Sequence, residues 1–100
     1  MDLSHNLMDK IELAHVEVHG QRCRVRFVGV EASPPPPMES TAADLTAETT
    51  CDGTVHQVRV HLGLEHLSTI EGEDFVVHAI VGALRKAVLG EMPPGAVDYL

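Results

Sequence analysis

Apolar and polar residues alternate along three stretches of the chain and follow a helical spacing along a fourth. The alternating stretches are residues 14–18, 22–27 and 54–64, and a period of two is typical of β-strands with one buried face. In residues 73–89, apolar side chains recur every three or four positions and cover more than half of the circumference. This last stretch predicts a long helix that needs cover on two sides.

The first two strands are predicted to form a hairpin over residues 10–30. Gly20 and Gln21 stand between them, and Gly at the first turn position favours a type II′ turn. This register aligns apolar residues on one face and a charge pair on the other: Val18 with Cys23, Val16 with Val25, Ala14 with Phe27, and Glu17 with Arg24. Ile11 and Leu13 fall out of phase with the alternation, which predicts a bulge near Leu13.

Residues 41–64 are predicted to form a second hairpin, joined to the first by a proline-rich connector over residues 31–40. Residues 40–51 also carry helix formers and a capping-box pattern, so a helix is the alternative there. Asp52-Gly53 is the dipeptide of a type I′ turn and favours the hairpin. Its register again matches residue types: Ala47 with Val58, Leu45 with Val60, Ala43 with Leu62, Asp44 with His61, Thr46 with Arg59, and Glu48 with Gln57.

The pattern as a whole predicts one α+β domain over residues 1–100. Two β-hairpins form a four-stranded antiparallel sheet, and the C-terminal helix covers one of its faces. Residues 1–9 form either a short turn of helix, with Leu3 and Leu7 on one side, or a loose end. The tail over residues 90–100 is expected to dock back on the domain or on a neighbouring molecule.

Charge and composition narrow the function classes. The formal net charge of −8 and the pI near 5.2 disfavour binding to nucleic acid or to anionic membranes. No run reaches the roughly 20 apolar residues of a membrane span, and the N-terminus lacks the pattern of a signal peptide. Cys23 and Cys51 show no disulfide or zinc spacing. We therefore expect a reduced, cytoplasmic protein, with Cys23 in the core and Cys51 more exposed.

The sheet face turned away from the helix collects basic residues against the acidic charge of the chain. It is predicted to carry Arg22, Arg24, Arg26, Arg59 and His61, with His15, Glu17, His19, Asp44 and Glu48 nearby. One interpretation is a solvated, charge-paired face or a sheet-to-sheet contact. The alternative is a binding site for an anionic ligand or single-stranded nucleic acid. No aromatic residue for base stacking is expected there, which makes nucleic acid the weaker ligand.

Seven histidines and two cysteines are present, without a metal-binding or catalytic pattern. His15 and His19 share a strand face but lie about 13 Å apart along it, too far to share an ion. His61 and Asp44 face each other across the second hairpin, and two ligands are too few for zinc. Cys51 would be the nucleophile in a second alternative, a small enzyme that uses this thiol or a histidine. We expect no metal, no cofactor and no catalytic residue.

Ala79, Ala83 and Ala87 form a small-residue stripe on the helix, with Gly82 beside it. Small side chains allow close approach, so the stripe contacts either the sheet or a second helix. The excess apolar surface of this helix leads us to expect a homodimer, with another protein as the alternative cover. The sequence thus predicts a small non-enzymatic binding or accessory protein that acts as a homodimer.

Overall fold

The structure is a computed structural model, and it describes residues 5–35, 37–93 and 95–100. The elements follow one another as α1 (His5–Leu13), β1 (His15–Val18), β2 (Gln21–Ser33), β3 (Ala42–Cys51), β4 (Thr54–Gly63), a 3₁₀ helix (Leu64–Leu67), α2 (Ile70–Val88) and β5 (Val97–Tyr99). The five strands form one sheet in the order β1-β2-β3-β4-β5. Both helices contribute to a core on the same side of this sheet.

The α+β class expected from the sequence is confirmed, while the details of the sheet and helices differ. The sheet has five strands and not four, because the tail adds β5 parallel to β4. Val97 pairs with Arg59, and the backbone N–H of Leu100 donates to the carbonyl oxygen of His61 at 2.9 Å. A three-residue strand carries too short a pattern to be detected in a sequence. The tail thus docks on the edge of its own sheet.

The second hairpin has the predicted register. Every predicted pair occurs, from Ala43 opposite Leu62 to Glu48 opposite Gln57. The turn residues Asp52 and Gly53 have φ values of 52° and 76°, and a type I′ turn needs positive φ at both positions. The strand interpretation of the segment before this turn is therefore correct, and the helical alternative is wrong.

The first hairpin forms, with a register that differs by two residues from the predicted one. Its turn is His19-Gly20, with φ values of 52° and 77°, so that Val16 lies opposite Cys23. A shift by two leaves every side chain on its face, and the apolar pattern therefore cannot distinguish the two registers. The predicted turn, which included Gln21, is wrong because His19 adopts the left-handed backbone conformation.

Residues 10–13 belong to helix α1 and not to the first hairpin. Leu7 and Ile11, one helical turn apart, are both buried in the core. Leu3, which was expected on the same side of a shorter helix, lies outside the described residues. The apolar residues that were out of phase with the strand are thus explained by a helix, and the bulge predicted near Leu13 is wrong.

Strand β2 is long, and its outer edge is only partly covered by another strand. β1 pairs with residues 21–24. Farther along, the carboxylate of Glu12 in α1 accepts a hydrogen bond from the backbone N–H of Phe27 at 3.1 Å. The pairing of β2 with β3 shifts register between Phe27 and Gly29, which marks a β-bulge. Past the bulge, this edge of β2 has no strand partner within the described part of the chain.

Helix α2 begins at Ile70, before the predicted first residue 73. Thr69 is the N-cap, and its hydroxyl accepts a hydrogen bond from the N–H of Gly72 at 2.9 Å. The inner side of the helix buries Val76, Ile80, Ala83 and Leu84. None of the helices in the described residues combines the length and apolar content needed to cross a membrane.

Candidate binding surfaces

Two surfaces of different chemistry lie on opposite sides of the molecule. Alternate strand residues point into the core beneath α1 and α2, and the residues between them point outward. The outward side chains that form the arginine face are Arg22, Arg24, Arg26, Arg59 and His61. The outer sides of α1 and α2 form the helix face, which consists of Leu13, Asp74, Phe75, Val77, His78 and Val81.

The three arginines of β2 lie in one row, with alternate residues about 6.6 Å apart. All three are exposed. Arg22 contacts Glu17 at 4.0 Å, and Arg26 contacts Glu48 at 3.8 Å. Glu17 was predicted opposite Arg24, and the observed register of β1 places it opposite Arg22 instead. Such exposed ion pairs contribute little to stability, which leaves the guanidinium groups available to other anions.

A polar groove of about 380 Å³ runs beside this row and is lined by Glu12, Arg24, Arg26 and Thr50. Arg24 reaches toward α1, where its Nε donates to the carbonyl oxygen of Glu12 at 3.2 Å. The groove therefore offers two cationic side chains and one hydroxyl, next to one acidic side chain.

Arg59 and His61 lie apart from this row, on β4. Arg59 is exposed opposite Thr46 and makes no ion pair within the described chain. His61 is half-buried: its Nδ1 lies 2.8 Å from Asp44 Oδ1, and its ring centroid is 5.4 Å from that of Tyr99. His61 thus contacts β3 and β5 as well as its own strand. Sequence reasoning expected no aromatic residue on this face and missed the contact with Tyr99, which is 73% exposed, since the tail shows no periodic pattern.

The two cysteines form a disulfide, which corrects the expectation of reduced thiols. Cys23 and Cys51 lie on adjacent strands with their Cα atoms 5.8 Å apart, and both side chains are buried. Cys51 was expected to be more exposed. The pairing follows from the register of β2 with β3, which places Val25 opposite Thr49, two residues along each strand. With its sulfur bonded, Cys51 offers no free thiol to an enzymatic mechanism.

Histidine and acidic side chains are dispersed over the described residues. No three His, Cys, Asp or Glu side chains there come close enough together to hold one metal ion. His15 begins β1, whereas His19 lies in the turn that follows it. The absence of a metal and of a cofactor stays a prediction.

The small-residue stripe of α2 faces the core at one end and solvent at the other. Ala83 is 2% exposed within the core, and Ala87 packs against that core. Ala79 is half-buried, and Gly82 is exposed, with no atom within 4 Å of the place where a Cβ would stand. A dimer contact at these residues stays a prediction, and Gly82 is the most exposed of the four.

The helix face exposes large apolar side chains beside two shallow grooves. Leu13 is 74% exposed and Phe75 is 50% exposed. A groove of about 460 Å³ lies between α1 and α2, lined chiefly by Leu13, Ala14, Val77 and Val81. A second groove of about 440 Å³ lies along α2, and Asp74 and His78 line both. Sequence reasoning missed Leu13 because it assigned that residue to a strand.

Lys10 joins the two helices at one end of the first groove. Its Nζ lies 2.8 Å from Asp74 Oδ1 and 3.6 Å from Glu73 Oε1. The hydrogen bond to Asp74, together with the attraction of both carboxylates, raises the pKa of Lys10 above its ordinary value of 10.5. The ammonium group therefore stays charged at neutral pH and holds Asp74 on the side of α2 that faces α1.

A ligand would find no unpaired polar side chain buried in the described part of the chain. Within the described residues, every buried side-chain nitrogen or oxygen has a hydrogen-bond partner. The candidate binding surfaces of the described residues are therefore the arginine face and the helix face. Comparisons of the chain with models of protein families, with curated proteins and with solved structures found no match.

Proposed function

We propose that this chain is a small non-enzymatic binding or accessory protein that acts as a homodimer. The observation that carries the proposal is the apolar surface of the helix face, where Leu13 and Phe75 are 74% and 50% exposed. Contiguous apolar surface with a polar rim is typical of protein–protein contact sites. Here Lys10 and Glu71 each line one of the two apolar grooves, and Asp74 and His78 line both.

The shape of the two grooves favours a protein surface over a small molecule. Both grooves are shallow and open along α2, whereas small-molecule sites are concave and enclose most of their ligand. A helix laid along α2 would cover both grooves at once, because they meet at Asp74 and His78. Another protein that carries such a helix is the alternative cover.

Light scattering of the wild-type chain at micromolar concentration and neutral pH tests this proposal. We expect a molar mass of twice the 10.8 kDa of one chain, because the exposed apolar side chains gain free energy when a second copy covers them. A stable monomer under these conditions would contradict the homodimer.

A second candidate function is the binding of an anionic ligand by the arginine face. The row of exposed arginines and the groove beside it support this function, because guanidinium groups bind phosphate and carboxylate groups through paired hydrogen bonds. The net charge of −8 works against association with long nucleic acids. A short phosphate-bearing ligand therefore fits this face better than a nucleic acid.

Replacement of Arg22, Arg24 and Arg26 by Glu tests this second function. We expect the triple variant to lose all measurable binding of inorganic triphosphate, because three cations of the face become anions. Calorimetric titration measures binding of triphosphate and of a short single-stranded oligonucleotide, and circular dichroism checks that the exposed substitutions leave the fold intact. Binding that survives the charge reversal would show that the arginine face is structural.

The cytoplasmic location expected from the sequence remains a prediction. The disulfide between Cys23 and Cys51 is of a kind that persists in oxidising compartments. In the cytoplasm both thiols would be kept reduced and would react with a thiol-labelling reagent. Labelling of the chain in intact cells therefore distinguishes the cytoplasm from an oxidising compartment, where the disulfide would block the reaction.

A further inference from the structure

We propose that the homodimer forms by antiparallel pairing of α2 with the same helix of a second copy, about a two-fold axis near Ala79 and Gly82. The proposal rests on the homodimer proposed above and adds the face, the orientation and the contacts of its interface. A second copy is the occupant because the charges along the exposed side of α2 are complementary to the same helix reversed.

The exposed side of α2 changes the sign of its charge along its length. Glu71 and Asp74 lie near the start of the helix, and Arg85 and Lys86 lie in its last turn. The side chains of Glu71, Arg85 and Lys86 are exposed and have no hydrogen-bond or ion-pair partner within the described chain. Reversal of a second helix brings each acidic end against a basic end, whereas parallel pairing would join like charges.

The spacing of these residues fits a two-fold axis. Asp74 and Arg85 are eleven residues apart, so they lie within about 20° of each other around the helix and about 16 Å apart along it. Phe75 and Lys86 have the same spacing on the neighbouring line. A two-fold axis perpendicular to the plane that contains both helices reverses the direction of the second helix. It keeps the line of Asp74 and Arg85 on one side of that plane and the line of Phe75 and Lys86 on the other. Asp74 therefore lies beside the partner's Arg85, and Phe75 lies beside the partner's Lys86, as in a cation–π contact.

The centre of this contact carries small side chains. Gly82 is exposed, and a Cβ added there would meet no atom within 4 Å in a single copy. Ala79 lies one turn earlier on the same surface. Small residues at a crossing point let two helices approach to about 8 Å, the lower end of the usual range. His78 would then cover the partner's Gly82.

The same symmetry covers the groove between α1 and α2. Helix α1 lies on the Asp74 side of α2, since Lys10 binds Asp74 and Leu13 lines the groove with Val77 and Val81. The two-fold axis places the partner's α1 on this same side. The two grooves therefore join into one, and Leu13 packs against the partner's Leu13. This contact buries the most exposed apolar side chain of the helix face.

Two charge-reversed variants and their mixture test the proposed interface. Arg85→Glu places a carboxylate against the partner's Asp74, and Asp74→Arg places a guanidinium against the partner's Arg85. We expect each variant alone to raise the dimer Kd about tenfold or more, because two attractive pairs per dimer become repulsive. An equimolar mixture should recover the wild-type dimer mass in light scattering, because both pairs are again opposite in sign in the mixed dimer.

Two further variants separate the interface from effects on folding. Gly82→Leu should abolish the dimer and leave the circular dichroism of the monomer intact, because the single copy has space there and the close helix contact has none. Glu39→Arg controls for the change in net charge made by Asp74→Arg, since it changes an exposed charge by the same amount on the connector. We expect it to retain the dimer.

The outcomes distinguish this interface from the homodimer itself. A monomeric wild-type chain would overturn the proposed function. A dimeric wild-type chain whose mass is unchanged by Arg85→Glu and by Gly82→Leu would overturn this interface while the homodimer stands. Folded single variants that stay monomeric when mixed would overturn the contact between Asp74 and the partner's Arg85.

Discussion

Gly72 and Gly82 lie in the same helix, and their surroundings differ. A Cβ at Gly72 would clash with the backbone carbonyl of His66 in the 3₁₀ helix, whereas one at Gly82 would meet open space. The absence of a side chain at Gly72 lets the 3₁₀ helix lie directly against the first turn of α2. There the ring of His66 stacks on Phe75, with centroids 5.3 Å apart.

Alanine at each glycine should therefore have opposite effects on stability. Gly72→Ala should lower the free energy of unfolding by about 1–3 kcal/mol, because backbone must move to accommodate the methyl group. Gly82→Ala should raise it by about 0.8–1 kcal/mol through helix propensity. Urea denaturation at submicromolar concentration, where association contributes least, measures both. A shift of the two variants in the same direction would contradict this account.

Helices α1 and α2 are joined by the ion pairs of Lys10, and this link should depend on pH. The pKa of Lys10 is raised in the folded chain, so the folded state binds its proton more tightly than the unfolded state does. The stabilisation is therefore fully present below the unfolded pKa and is lost as the pH rises through the folded pKa, above 10.5.

Comparison of the wild type with Lys10→Met should reveal this dependence. The wild type should exceed the variant in stability by a constant amount up to about pH 9, and the difference should shrink in more alkaline solution. Urea denaturation at stepped pH values measures it. Lys86→Met is the matched control at submicromolar protein concentration, where association contributes least and the exposed side chain of Lys86 has no partner within the described chain. A Lys10 difference that persists unchanged at pH 11 would rule out this mechanism.

The two hairpins differ in how far the sequence determined them. Asp52-Gly53 favours one turn type, and this fixed both the register and the faces of the second hairpin. In the first, either His19-Gly20 or Gly20-Gln21 brings apolar residues to one face. The backbone conformation of His19 distinguishes these two turns, and the pattern of apolar residues contains no information about it.

Elements that depend on distant parts of the chain were not predictable from local patterns. The disulfide required the register between β2 and β3, which belong to different hairpins. β5 required the docking of the tail on β4. The exposed arginines of β2 followed from alternation alone, and their positions on an outward face were predicted correctly. Leu13 could be placed on the helix face only after α1 was known.

The two candidate surfaces are on opposite sides of a molecule that measures 43 × 26 × 18 Å. Pairing through the helix face would therefore leave both arginine faces directed outward, at the two far sides of the dimer. Each copy could then bind an anionic ligand independently of the other. Dimer formation and anion binding are thus compatible, and each can be removed by substitutions that leave the other intact.

The uncovered edge of β2 has a consequence for the whole molecule in concentrated solution. An unpaired strand edge can hydrogen-bond with the edge of another molecule and seed aggregates. In this chain the β-bulge at Phe27–Gly29 twists that edge, and the exposed charge of Glu31 follows it. Pro34 comes soon afterwards and has no backbone N–H to donate to another strand. These three features oppose edge-to-edge stacking, so the chain can keep a sheet edge open without the protection of a further strand.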